Sequence, residues 1–345
     1  MDVNRKILTY EGIDVCGDRI VDALESEHLS ASFSPKITTI SFIGYSLGGL
    51  INRYVIGKLF AHGHFSHVKP KFFVTIATPH LGVRKRPTSV YNKIFNSLVP
   101  VFTSRSGYQL MLTDKSIDEM PLLLAMSLPN LPFFKALSLF KCVLYANTKN
   151  DRTVPYTTGS ISSSNPYDEK GVIPVTIDPA FPSIVQPQHS DQPPPRSKLR
   201  ILLIGGLAAT SPLLLPIYFL GVFLIGGYSV FQHTKIIKRI KVDYQWVSKF
   251  SLQDPTNITN ATPSTTSETA SLLLPLPKLN QTGPQDPSVR LWIIKQLNTL
   301  PLQKFDVLTV HLHAHAAIIS RNPSWHKGSE DVVRHLAKRM CSKSE

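Results

Sequence analysis

The stretch Ile37-Thr-Thr-Ile-Ser-Phe-Ile-Gly-Tyr-Ser46-Leu-Gly-Gly-Leu50 decides how this chain is read. Its first half is rich in β-branched residues and reads as a strand. Its second half opens an amphipathic helix in which Leu50, Ile51, Tyr54, Val55 and Leu59 recur at helical spacing. Between them, Gly44-Tyr-Ser46-Leu-Gly48 has the form GxSxG, and a strand before it with a helix after it makes it a nucleophile elbow. Gly44 and Gly48 are expected to leave room for the turn, and Ser46 to stand on top of it. The backbone N–H of Leu47 then points to where an oxyanion would develop.

A nucleophilic serine needs a base and an acid that orients the base. The run Phe140-Lys-Cys-Val-Leu-Tyr145 reads as a buried strand, and Asp151 follows it in a loop, ahead of Val154-Pro155. Much later, Phe305-Asp-Val-Leu-Thr-Val-His311-Leu-His313-Ala-His315-Ala-Ala-Ile-Ile319 reads as a strand whose three histidines alternate onto one face. Zinc sites add a carboxylate or cysteine in a fixed frame, so no metal is assigned to this run. One histidine near the strand end is expected to be the base, with His315 the first choice and His313 the second. The order serine, acid, histidine is that of an α/β-hydrolase.

Further segments make the reading more specific. Tyr10-Glu-Gly-Ile-Asp14, Phe42–Leu50 with Arg53-Tyr54, and Ala77-Thr-Pro-His-Leu-Gly82 occur in order. Ser106-Gly-Tyr-Gln-Leu110 with Thr113-Asp114, Asn150-Asp-Arg-Thr-Val-Pro-Tyr156 and His315-Ala-Ala-Ile-Ile319 follow. In these pieces the chain resembles the serine esterase and lipase family of fungi and plants that includes the fungal lipid-droplet phospholipase. The resemblance implies a hydrolase of acyl esters in phospholipids or acylglycerols, without a cofactor. It carries the nucleophile to Ser46, the acid to Asp151 and the base to His315. Members of that family open with a strand ending in His-Gly, whose loop provides a second oxyanion donor. No His-Gly precedes Ser46, and His62-Gly63 follows it. The expectation is an α/β-hydrolase-like sheet lacking its N-terminal strands, short of one oxyanion donor. Such a loss typically lowers the rate about 100- to 1,000-fold.

Composition bounds the rest. The chain has 345 residues, 17% of them charged, with 27 prolines and a net charge of +14. Three widely spaced cysteines give neither a disulfide framework nor a metal motif, which suits a reducing compartment. The first residues hold no apolar h-region, so no signal peptide is expected. No nucleic-acid motif accompanies the basic charge, and no nucleic-acid partner is expected. Clusters at Arg196/Lys198/Arg200 and at Lys235/Lys238/Arg239/Lys241 flank the uncharged run Ile201–Phe231 and suit an anionic lipid surface.

As one straight helix that run would measure about 46 Å, against a hydrocarbon thickness of about 30 Å. A single crossing would also separate Asp151 from His315. Pro212 and Pro216 break the run, so a membrane-embedded hairpin entering and leaving by one face is expected. A lipid-droplet monolayer, or the cytosolic face of the endoplasmic reticulum, would accept it. Val90–Phe102 could form a lid or an acyl-chain channel over Ser46, or equally a core helix, and Met120–Phe134 also has lid-like length. Asp254–Ser271 is rich in Thr, Ser, Asn and Pro and is expected to be disordered.

The organisation expected is therefore a first part of the hydrolase core over 1–160, a Pro-rich linker over 161–200 and a membrane hairpin or transmembrane segment over 201–231. A basic stretch with a disordered Ser/Thr-rich linker over 232–285 and the last part of the core over 286–345 complete it. The function expected is a serine lipase or phospholipase at a membrane or lipid-droplet surface. A catalytically impaired pseudo-hydrolase and a serine acyltransferase are the alternatives.

Overall fold

The structure, a computed structural model, describes residues 3–4, 6–29, 36–85, 88–190, 242–251 and 287–341. Its frame is a mixed sheet of six strands in the order β1-β2-β3-β6-β5-β4. The strands are β1 (Thr39–Tyr45), β2 (Lys69–Ile76), β3 (Lys141–Asn147), β4 (Val172–Thr176), β5 (Ile184–His189) and β6 (Gln303–Val307). β1, β2, β3 and β6 pair in parallel, so their C-terminal ends share one edge of the sheet. β5 runs antiparallel to both β4 and β6. With helices packed on it, this is the architecture of an α/β-hydrolase-like fold.

Parallel strands are buried on both faces and alternate side chains between them. Phe73, Cys142 and Leu144 face one core with helix α1 (Ile13–Glu27), helix α2 (Leu47–Ala61) and the helices Pro132–Ser138 and Pro287–Leu297. Val74, Val143, Tyr145 and Val307 face the other, with Ile318, Val332 and Leu336. In α2, Leu50, Tyr54, Val55, Ile56 and Leu59 are fully buried. Truncating one such side chain to alanine typically costs about 2–5 kcal/mol, so α2 is held rigidly against the sheet.

Several expectations are corrected here. The stretch 161–200 is not one linker: β4 and β5 form a hairpin within it and join the sheet at β6. Its prolines are tolerated because β5 pairs with β6 only through Ile184 and Val185, so the missing N–H of Pro187 falls outside that ladder. Within 232–285, the stretch ahead of the Ser/Thr-rich linker holds the helix Gln245–Ser251, with Trp246 against Tyr54 and Phe133 at ring separations of 5.7 and 5.4 Å. Met120–Phe134 is core rather than lid, since Leu122, Leu123, Leu124, Met126 and Phe133 are buried. Fully buried Arg53 of α2 pins that segment, donating to the Met126 carbonyl at 2.9 Å and to Ser127 Oγ at 2.8 Å. Helix α3 (Val90–Leu110) does present an apolar stripe to solvent at Val90, Ile94 and Leu98.

No helix among the described residues is long and apolar enough to cross a membrane. The expected hairpin over 201–231 and the Ser/Thr-rich stretch Asp254–Ser271 lie outside the described residues.

Candidate active site

Three loops meet at the C-terminal edge of the parallel strands. β1 ends at Tyr45, and the N–H of the next residue, Ser46, still donates to the Ile76 carbonyl of β2 at 2.9 Å. The chain then turns into α2 with Ser46 at φ 53°, ψ −129°. A positive φ on a residue with a Cβ is strained by about 1–3 kcal/mol and persists only where the surroundings impose it. The imposing contact is the crossing of β1 and α2: a Cβ on Gly44 would stand 2.4 Å from Gly49 Cα. Gly48 was expected to share that duty, but a Cβ there meets nothing within 4 Å, whereas one on Gly49 would strike Thr78. Leu47 is the first residue of α2, so its N–H has no acceptor within the helix and is available above Ser46.

β3 ends at Asn147, and Asp151 follows in the loop. The Asp151 side chain is only 2% exposed. Its Oδ1 accepts from the backbone N–H groups of Thr153 at 3.0 Å and Val154 at 2.8 Å, an Asx turn. Its Oδ2 accepts from Asn147 Nδ2 at 2.8 Å. That leaves one lone pair of Oδ2 directed at His315 Nδ1, 2.9 Å away. On the far side of the ring, His315 Nε2 lies 2.9 Å from Ser46 Oγ. The structure thus brings Ser46, His315 and Asp151 into one hydrogen-bonded line, which an imidazole protonated on Nδ1 satisfies at both ends.

The route to His315 differs from the one expected. β6 stops at Val307, and a turn leads into the short helix Ala314–Ala317. The three histidines therefore do not share a strand face. Alanines at 314, 316 and 317 favour helix over strand, which ends the alternation just before His315. His313 is exposed, and His311 stacks edge-on against His326 at 5.4 Å.

Two positioning contacts escaped the sequence reading. Tyr45, next to Ser46, donates its hydroxyl to the His315 carbonyl at 2.8 Å and lays its ring 5.0 Å from the imidazole. Burial pushes the Tyr45 hydroxyl up to about 12, so it stays a donor. Asn147 anchors Asp151 from the last residue of its own strand. Neither residue type marks such a role; only the sheet order brings them to it. Burial also pushes the Cys16 and Cys142 thiols up to about 12, so neither supplies a thiolate nucleophile. Among the described residues the one three-residue group fit to hold a metal ion, Glu25 with His62 and His64, belongs to α1 and the far end of α2.

Residues 1–165 match the family described as "Putative serine esterase (DUF676)". They hold Ser46 and Asp151, while His315 lies beyond the matched region. Similar proteins include "Putative lipase C4A8.10" of Schizosaccharomyces pombe, 41% identical over 142 residues, which are 39% of this chain and 18% of that protein. They also include two Saccharomyces cerevisiae proteins, each aligned over 156 residues, 44% of this chain. "Putative lipase ROG1" is 31% identical over 22% of its length, and "Putative lipase YDL109C" is 35% identical over 23% of its length. The chain thus spans about a fifth of the length of these relatives. No solved structure matches it.

Proposed function

We propose that this chain is a serine hydrolase of lipid acyl esters, acting on phospholipids or acylglycerols through Ser46, His315 and Asp151. The observation that carries the reading is the pair of 2.9 Å contacts that His315 makes, one to Ser46 Oγ and one to Asp151 Oδ2. Ser46 Oγ attacks the ester carbonyl as its proton passes to His315 Nε2. Asp151 holds the Nδ1 proton and stabilises the imidazolium. The Leu47 N–H donates to the oxyanion. Collapse breaks the acyl–oxygen bond, and the proton on Nε2 goes to the leaving alcohol. Water, deprotonated by His315, then releases the fatty acid and restores Ser46.

A lipid substrate is supported by where apolar surface is exposed. Val310 and Leu312 are 86% and 65% exposed in the loop leading to His315, and Trp325 beyond it is 78% exposed. With the stripe at Val90, Ile94 and Leu98 and a net charge of +14, this suits docking to an anionic membrane or lipid-droplet surface. The names of the relatives point the same way.

The test is labelling with a fluorophosphonate, in which Ser46 Oγ displaces fluoride from phosphorus. Wild-type protein is expected to label and to release fatty acid from phospholipid or acylglycerol micelles, and Ser46→Ala to do neither. Folded wild-type protein that does not label would overturn the reading in favour of a pseudo-hydrolase. Transfer of the acyl group to an added alcohol in preference to water would make it an acyltransferase.

A further inference from the structure

Helix α2 has a second functional-looking end. It finishes at Ala61 with His62 as its C-cap, and Gly63 follows at φ +82°. That left-handed residue reverses the chain in one step, so His64 stands beside His62 with ring centroids 6.3 Å apart. Helix α1 runs parallel to α2: Asp18 accepts from Tyr54 at 3.1 Å and from Lys58 at 2.6 Å, and Glu25, two turns on, reaches His62 and His64. A single oxygen, Glu25 Oε1, lies 2.6 Å from His62 Nδ1 and 2.7 Å from His64 Nε2.

Two features of this cluster are unusual for a plain surface hydrogen bond. Both helices direct their C-terminal ends here, and that end of a helix dipole favours cations. Yet the last turn of α1 carries acidic Glu25 and Glu27 and no basic residue. The donor set itself is the second feature. One oxygen and two imidazole nitrogens lie within 4.8 Å of one another. A tetrahedral zinc ion with bonds of about 2.0–2.1 Å needs its donors about 3.3 Å apart. Drawing the carboxylate back by under about 1 Å would bring its two separations from the imidazole nitrogens to that value. Side chains that are 24–33% exposed leave the fourth position to water.

We propose that Glu25, His62 and His64 form a site for a zinc-class divalent transition metal that staples α1 to the C-terminal end of α2. The ion is bound by Glu25 Oε1, His62 Nδ1, His64 Nε2 and one water. The site lies about 22 Å along α2 from the elbow, so its role is structural rather than chemical. It stands independently of the hydrolase reading.

The experiment uses the full chain, stripped with chelator and titrated with ZnCl2 and with CoCl2. Calorimetry is expected to give one zinc per chain at micromolar affinity or tighter, with a Tm raised by several degrees. Cobalt is expected to give the visible absorption of a tetrahedral site. Glu25→Gln and His64→Gln, which keep side-chain hydrogen bonding, should weaken zinc binding at least tenfold and abolish the Tm shift. Fluorophosphonate labelling should stay unchanged in both. Should either variant fail to fold, His62→Gln replaces it. Wild-type protein with no zinc-dependent Tm shift would overturn the proposal. So would binding that survives in these variants, or that is lost instead in His311→Asn.

Discussion

The two ends of α2 both gather histidine and carboxylate, but they are built differently. At the N-terminal end, Ser46, Asp151 and His315 come from loops after β1, β3 and β6 and meet only because those strands run parallel and end together. The backbone there is held at a positive φ on a serine. At the C-terminal end, Glu25, His62 and His64 come from two neighbouring helices, and the positive φ falls on Gly63, where it is free of strain. Of the two ends, the one with a strained serine and long-range assembly is the one that, in the proposed reaction, presents a side chain to an ester carbonyl. In the proposed metal site the other end holds two helices together.

The largest expected contrast comes from removing one carboxylate charge at each end. Asp151→Asn preserves the shape of the loop but favours the wrong His315 tautomer, and comparable changes lower kcat by about 10,000-fold. Glu25→Gln should leave ester hydrolysis within about twofold of wild type. Steady-state hydrolysis of a short-chain p-nitrophenyl ester measures both. Equal losses would mean that the two ends are coupled through α2, and the division of labour drawn above would fail.

The two ends were also unequally legible in the sequence. Ser46 and Leu47 could be read because strand, turn and helix are contiguous there, and the two glycines frame the serine. Asp151 could be read because it stands in a loop just past a buried strand, between the serine and the histidine in the order that a hydrolase acid takes. His315 could be narrowed only to a choice, since alternation suggested a strand where Ala314, Ala316 and Ala317 favour a helical turn. Tyr45 and Asn147 carried no signal, because Tyr45 meets the His315 backbone across 270 positions of chain. At the far end, His62, Gly63 and His64 were visible as letters. Their partner Glu25 depends on the register of α1 against α2, which side-chain packing decides. The proline count of 161–200 misled for a related reason: an edge hairpin tolerates proline that a central strand does not.

A histidine at neither end sharpens the comparison, because no carboxylate among the described residues is hydrogen-bonded to it. His80 is buried behind α2, with Nε2 2.9 Å from Thr75 Oγ1. Burial first, then the charges of Arg53 and Lys304, hold its imidazole well below the usual 6.5. The folded state therefore refuses a proton that the unfolded chain accepts. Its contribution to stability is fully present above about pH 6.5 and is lost as pH falls below it, by up to about 1.4 kcal/mol per pH unit. His80→Gln keeps a partner for Thr75 and should flatten that part of the profile. Urea unfolding of both proteins at pH 7.5, 6.5 and 5.5 would show it. Parallel profiles would mean that His80 protonates freely in the fold.

The smallest effect concerns the backbone alone, and its sign should be opposite at the two ends. Ser46→Ala and Ser46→Gly both remove the hydroxyl, but only glycine relieves the positive φ. After the extra chain entropy that glycine loses on folding, Ser46→Gly should be more stable than Ser46→Ala by about 1 kcal/mol. At the other end, a Cβ on Gly63 meets nothing within 4 Å, so Gly63→Ala is opposed only by its left-handed conformation. It should destabilise metal-free protein by about 1–2 kcal/mol. Denaturation midpoints of the three variants separate these outcomes. If Ser46→Gly gains nothing over Ser46→Ala, the elbow is not strained, and its geometry is the relaxed preference of the strand–helix junction. The contrast between a strained end and a relaxed one would then rest on the assembly of the side chains alone.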